Sequence, residues 1–215
     1  MALLAIVAAA GPRGIARDRV VAVLWPDSSP EQGRHALSQT IYALRRDLGG
    51  HDVFAAAAEL RLEPALEQAS PAAISADVVG YRAAIRACRW PDAIALYRGP
   101  FLEGFSLPDA PDFERWLDAE RDQLAREAAH ALECAATESA AAGRLDVALG
   151  YWCALTELEP FNGRAAVRYM EALDAAGDRA AALAHARRHI ELVRRELETA
   201  PDQAVTAAVA RLRAP

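Results

Sequence analysis

The stretch "AAGRLDVALGYW" at 141–152 recurs as "AAGDRAAALAHA" at 175–186, with Gly143 and Gly177 34 residues apart and Leu149 and Leu183 separated by the same interval. A fixed period of that size restricts a chain more than composition does, because each unit is one supersecondary piece that cannot bury its apolar face alone. Helix pairs must stack on their neighbours.

The period is that of tetratricopeptide-type helix pairs, in which a small residue packs the two helices closely and a proline such as Pro160 opens the next unit. From Asp77 the pattern is helical almost to the end. "VVGYRAAIRACRWPDAIALYRG" reads as a helix pair broken at Trp90-Pro91. "DAPDFERWLDAERDQLAREAAHALECAATESAAAG" runs unbroken, with Phe113, Trp116, Leu117, Leu124, Ala128 and Leu132 on one stripe. Residues 77–215 are therefore expected to be a helical solenoid with a groove for another chain.

The first 62 residues have a different order. Residues 2–10 form an apolar helix closed by Gly11-Pro12, and "IARDRVVAVLWP" gives a second helix with Val20, Val21 and Leu24 inward. A third, from Pro30 to Leu48, has Ser29 as N-cap, Pro30 at the first helical position, Gln32 closing a capping box and Gly49 as its stop. Two short strands joined by a turn follow in "HDVFAAAAELRLEP", and 63–76, rich in proline and serine, read as a linker.

On the third helix, Ile41, Leu44 and Leu48 fall within about 40° of Leu37 and form the inward stripe. Arg34, His35, Ser38, Gln39, Tyr42, Arg45 and Arg46 spread over a sector about 140° wide that contains no acidic residue apart from Glu31 at its N-terminal edge. Arg can bond guanine edges or phosphates, Gln can pair with adenine, and Ser, Tyr and His can serve phosphates. The same residues also suit a solvated face. Residues 1–50 carry six Arg against four acids and residues 51–215 eighteen Arg against twenty-six acids, so a mildly basic first segment precedes an acidic one.

Other chemistry is not expected. The sequence has no Gly-rich phosphate loop, GxSxG elbow or HExxH site, so neither catalysis nor a cofactor or metal is anticipated. His185 and His189 are four apart and read as part of a solvated helix face. Asp118, Glu120 and Asp122 alternate with Arg115 and Arg121 as charge pairs along one helix. Cys88, Cys134 and Cys153 read as small buried residues. "MALLAIVAAAG" is half the length of a membrane span and has no basic leader region, so it reads as a core helix of a cytoplasmic protein.

Helix, helix, capped helix and hairpin is the order of a winged-helix domain. "VVAVLWPDSSPEQGRHALSQTIYALRRDLG" and, more specifically, "ALYRGPFLEGFSLPDAPDFERWLDAERDQL" resemble the SARP-type bacterial transcriptional activators. These join an OmpR-like winged helix to a bacterial transcriptional activator domain of tetratricopeptide-like helices. The resemblance implies a mainly α protein: a winged helix at 1–62, a linker at 63–76 and a helical domain at 77–215. It implies a regulator that binds double-stranded DNA at promoter-proximal repeats and helps recruit RNA polymerase, with a homodimer as one assembly open to it. The helix from Pro30 would be the recognition helix, with Arg34, Gln39, Arg45 and Arg46 at positions where the family has similar residues, and 52–62 would be the wing.

Two departures stand out. The family's winged helix usually opens with a small sheet that this sequence lacks, which is expected to leave the helix at 2–10 partly uncovered. Ser38 and Ala43 replace residues that are commonly basic, which lowers the expected attraction for phosphate. The alternative reading is a protein-interaction module whose winged helix no longer binds DNA; an enzyme with an unfamiliar site comes third.

Overall fold

A computed structural model describes residues 1–47, 52–54, 59–62 and 77–214. The linker at 63–76, the proposed helix stop at Gly49 and the tip of the hairpin lie outside them. The described residues form ten α-helices and one pair of very short strands. None of these helices is long and apolar enough to cross a membrane.

Two compact units divide at Leu124 and Ala125. The first begins with α1 (Ala2–Ala10), a 3₁₀ turn and strand β1 (Ile15–Ala16). Helix α2 (Arg17–Leu24) and α3 (Pro30–Asp47) follow, then strand β2 (Glu59–Leu60). Ile15 and Ala16 were expected to open the second helix; instead they pair antiparallel with Leu60 and Glu59, and Phe54 bridges Leu62. The β-branched Ile15 has a half-buried position beside Leu60, and helix propensity does not offset that pairing. At Gly14, with φ +71°, a Cβ would lie 2.8 Å from the Leu60 carbonyl oxygen, so glycine is what lets the two backbones meet.

Helix α1 is not left uncovered. Leu3, Ile6 and Val7 are at most 2% exposed and share a core with Val20, Leu24, Leu37, Leu60, Phe113 and Leu117. Phe113 and Leu117 come from the first half of α6 (Pro111–Ala141), and Phe101, Leu102, Phe105 and Leu107 pack on the same core. The cover therefore comes from far along the chain. The compact unit accordingly includes 77–124, whereas the sequence pattern divides the chain at 62 and 77.

The signature "RGPFLEGF" is built into this packing. Arg121 donates from Nε to the Phe101 carbonyl and from Nη2 to the Leu102 carbonyl, each at 2.8 Å. Phe105 and Phe113 meet edge to face at 6.0 Å. Helices α4 (Asp77–Arg86) and α5 (Trp90–Leu96) complete the unit. Arg82 of α4 donates to the Ala9 carbonyl and pairs with Glu120. Glu120 thus joins another helix, and Arg121 and Asp118 pair along α6.

The second unit holds the rest of α6, then α7 (Leu145–Leu158), α8 (Gly163–Ala175), α9 (Arg179–Leu197) and α10 (Gln203–Arg213). The 34-residue period is visible in the backbone. Gly143 N–H donates to Ala140 and Arg144 N–H to Ser139, while Gly177 and Asp178 donate to Asp174 and Leu173. Both glycines have positive φ. The same turn occurs in the first unit, where Cys88 (φ 53°) donates to Ile85 and Arg89 to Ala84. Its distance from the other two copies, and a cysteine where they have glycine, hide it from a search for the period. Ala93, Ala148 and Ala182, five residues after each turn centre, are all buried.

Candidate nucleic-acid interface

Helix α3 is anchored from its first residue. Gln32 N–H donates to Ser29 Oγ at 3.3 Å and Ser29 N–H to Gln32 Oε1 at 3.2 Å, closing the capping box around Pro30. Gly33 is buried against α2: a Cβ there would sit 2.3 Å from Val21 Cγ1. Leu37 is 1% exposed, and Ile41 and Leu44 pack on the same core. With that stripe inward, the opposite side of the helix faces out.

Arg34, His35, Ser38, Gln39, Tyr42, Arg45 and Arg46 are all exposed. Tyr42 shows 66% of its surface, the most open large hydrophobic residue after Met1 among the described residues. The face is less acid-free than helical spacing suggests. Arg34 Nε lies 3.1 Å from Asp18 Oδ1 and Arg45 Nε 3.3 Å from Asp52 Oδ1. Arg46 contacts Asp47 at 3.2 Å. Asp18 and Asp52 come from neighbouring elements that spacing along α3 cannot reveal. More than half of each of these side chains is exposed, and such pairs contribute at most about 1 kcal/mol, so a phosphate can replace the carboxylate at small cost. Ser38 Oγ donates to the Arg34 carbonyl at 2.9 Å, which leaves its oxygen as an acceptor rather than a free donor.

Two basic residues escaped the sequence reading. Arg17, at the first position of α2, lines a hollow of about 440 Å³ with Ala16, Asp18, Arg34, Leu37 and Ser38. Arg61 is exposed between the buried Leu60 and half-buried Leu62. The signal for Arg61 was the alternation of "ELRLE"; for Arg17 it was only its place before the inward valines. Arg17 thus stands beside Arg34 and Ser38 of α3, and Arg61 follows β2 in the same unit.

The other candidates are placed differently from expectation. His189 is 5% exposed, with Nδ1 3.1 Å from the Pro160 carbonyl, and His185 meets Tyr169 edge to face at 4.8 Å. These rings sit within the helix packing, not on a solvated face, because the period of α9 turns residues 182, 186, 189 and 193 inward together. Burial, reinforced by Arg188 and His189, lowers the His185 pKa to about 4; burial also lowers that of His189. Burial and a bond to Cys153 raise the Tyr169 hydroxyl to about 12. Cys88 is exposed, and Cys134 and Cys153 are half-buried, so the expectation of three buried thiols fails: Cys88 sits in a turn, and Cys134 and Cys153 lie on the partly covered sides of α6 and α7.

The family model for the bacterial transcriptional activator domain matches residues 61–213. No curated protein matches the chain. Among solved structures, Mycobacterium tuberculosis EmbR in complex with a low affinity phosphopeptide is similar in fold, with a TM-score of 0.61 at 22% identity. The similarity covers 98% of this chain but 57% of EmbR.

Proposed function

Because the chain belongs to the bacterial transcriptional activator domain family, we propose that it is a non-catalytic, cytoplasmic, DNA-binding transcription regulator whose α3 lies in the major groove of promoter-proximal repeats. Its helical part then engages RNA polymerase, a second protomer or another regulatory protein. Residues 1–62 form the DNA-binding segment in this reading, and residues 77–215 the protein-binding one.

The observation that carries it is the orientation of α3: Gly33 and Leu37 fix one side on the core, so the seven polar and aromatic residues opposite are all exposed. The order of elements supports a winged helix. A short strand between the first two helices pairs with the strand that follows α3, and Phe54 bridges Leu62 in the outer pair. Arg17 and Arg61 then add phosphate contacts, which offset the loss of cations at Ser38 and Ala43.

A mobility-shift titration against DNA upstream of the protein's own locus tests the proposal. Arg45→Ala and Arg46→Ala are expected to weaken binding to all sequences, and Gln39→Ala to reduce discrimination between sites by about 1–3 kcal/mol. Absence of binding, or binding unchanged in all three variants, overturns it and leaves the protein-interaction module.

A further inference from the structure

Helices α9 and α10 leave between them an open groove of about 890 Å³, contained in the second unit. Ile190, Val209 and Ala210 form its apolar floor, and Arg187, Arg194, Arg195 and Arg213 stand around it with Glu191. Leu197 is seven residues beyond Ile190 on α9, hence on the same side of the helix, and is 48% exposed. The apolar strip therefore continues past the arginines.

The charge is out of character for its surroundings. Residues 125–215 hold eleven Arg against thirteen acids. Four other arginines of this unit are neutralised, Arg164 by Glu133, Arg168 and Arg211 by Glu171, and Arg179 by Asp174. At the groove Arg195 pairs with Glu196, but among the described residues no acid is in ion-pair contact with Arg187, Arg194 or Arg213. Three unneutralised guanidinium groups around an apolar strip form a surface complementary to apolar residues flanked by carboxylates.

We infer that the α9–α10 groove binds an acidic amphipathic helix of a partner protein. From Arg187 to Leu197 the strip along α9, of which the groove is the first part, is about 15 Å long, enough for nearly three turns of a bound helix. Its leucine-type residues lie on Ile190, Val209 and Ala210, and its carboxylates face Arg187, Arg194 and Arg213. Nucleic acid fits less well, because Glu191 lies in the groove and the floor is apolar. The inference builds on the reading that the helical part engages a protein, and does not depend on DNA binding by α3.

The test is fluorescence anisotropy of the full chain with a labelled 18-residue helical peptide carrying Leu on one face and Glu on both flanks. The controls are the same peptide with every Glu→Lys, and a 20-base-pair DNA duplex as competitor. The acidic peptide binds, the basic one does not, and added salt weakens the complex. Arg187→Glu, Arg194→Glu and Arg213→Glu together reduce affinity by about tenfold or more. Ala210→Asp, at an exposed position, has the same direction of effect, with both proteins keeping the wild-type thermal midpoint.

No binding of the acidic peptide, equal binding of both peptides, or indifference to these substitutions overturns the inference. Displacement of the peptide by the duplex overturns it in favour of a nucleic-acid surface, and self-association abolished by the same substitutions overturns it in favour of a second copy. The groove variants retain the mobility shift of the wild type, and Arg45→Ala retains peptide binding, so failure of either reading is seen separately.

Discussion

Gly33→Ala is expected to destabilise the protein even though alanine is the better helix former. In the interior of α3, replacing glycine by alanine alone stabilises by about 1 kcal/mol. Here the new Cβ falls 2.3 Å from Val21 Cγ1, against about 3.5–4.0 Å for carbon atoms in favourable contact. Val21 Cβ is already at 3.6 Å, so the conflict is with one methyl group. Rotating it away takes a β-branched side chain out of its preferred helical rotamer. Otherwise α2 and α3 separate, opening the core around Leu37. Overpacking of this kind costs about 1–3 kcal/mol, so the net loss is up to about 2 kcal/mol. Urea unfolding followed by far-ultraviolet circular dichroism measures it. Val21→Ala removes the offending methyl, and in a double-mutant cycle the two substitutions couple favourably by about 1 kcal/mol. A Gly33→Ala protein as stable as wild type, with no coupling to position 21, refutes the close-approach argument for the setting of α3.

Other outcomes follow from the turns and the buried rings. Cys88→Gly relieves a left-handed backbone at an exposed position and stabilises by about 0.5–1 kcal/mol, whereas Gly177→Ala destabilises by about 1 kcal/mol, both read from thermal midpoints. His185 has a folded-state pKa of about 4 against an ordinary 6.5. Above pH 6.5 it is neutral in both states; below it the unfolded chain takes up a proton that the folded one refuses. Its contribution therefore falls as pH drops from 6.5 to 4 and is constant below that, by about 1–2 kcal/mol once partial solvent access to the ring is allowed for. Urea midpoints at pH 7 and pH 4.5 check this: His185→Leu flattens the difference relative to wild type.

Local signals located the elements well. The capping box at Ser29 and Gln32, the unbroken pattern of α6 and the period at Gly143 and Gly177 are written in adjacent residues, and each element formed where its residues indicated. The resemblance carried by "RGPFLEGF" is likewise borne out by the family match, and the structure gives those residues a packing role through Arg121 and Phe113. What the sequence hid was non-local. The cover of α1 comes from Phe113 and Leu117, about a hundred residues away, and β1 is too short to have a period of its own. Asp18 and Asp52 reach the arginines of α3 from other elements, so a helical projection overstates the charge of that face. The burial of His185 and His189 depends on which side of α9 meets α8, which two arginines between them masked.

The central claim is that the outward face of α3 meets DNA phosphates and bases. It is tested most directly by the salt dependence of binding in the wild type and in the triple variant Arg34→Ala, Arg45→Ala, Arg46→Ala. Each phosphate contact contributes about 0.9 to the slope of log K against log salt, so the account predicts a slope shallower by about 3 in the triple variant. A slope unchanged by the three substitutions contradicts it.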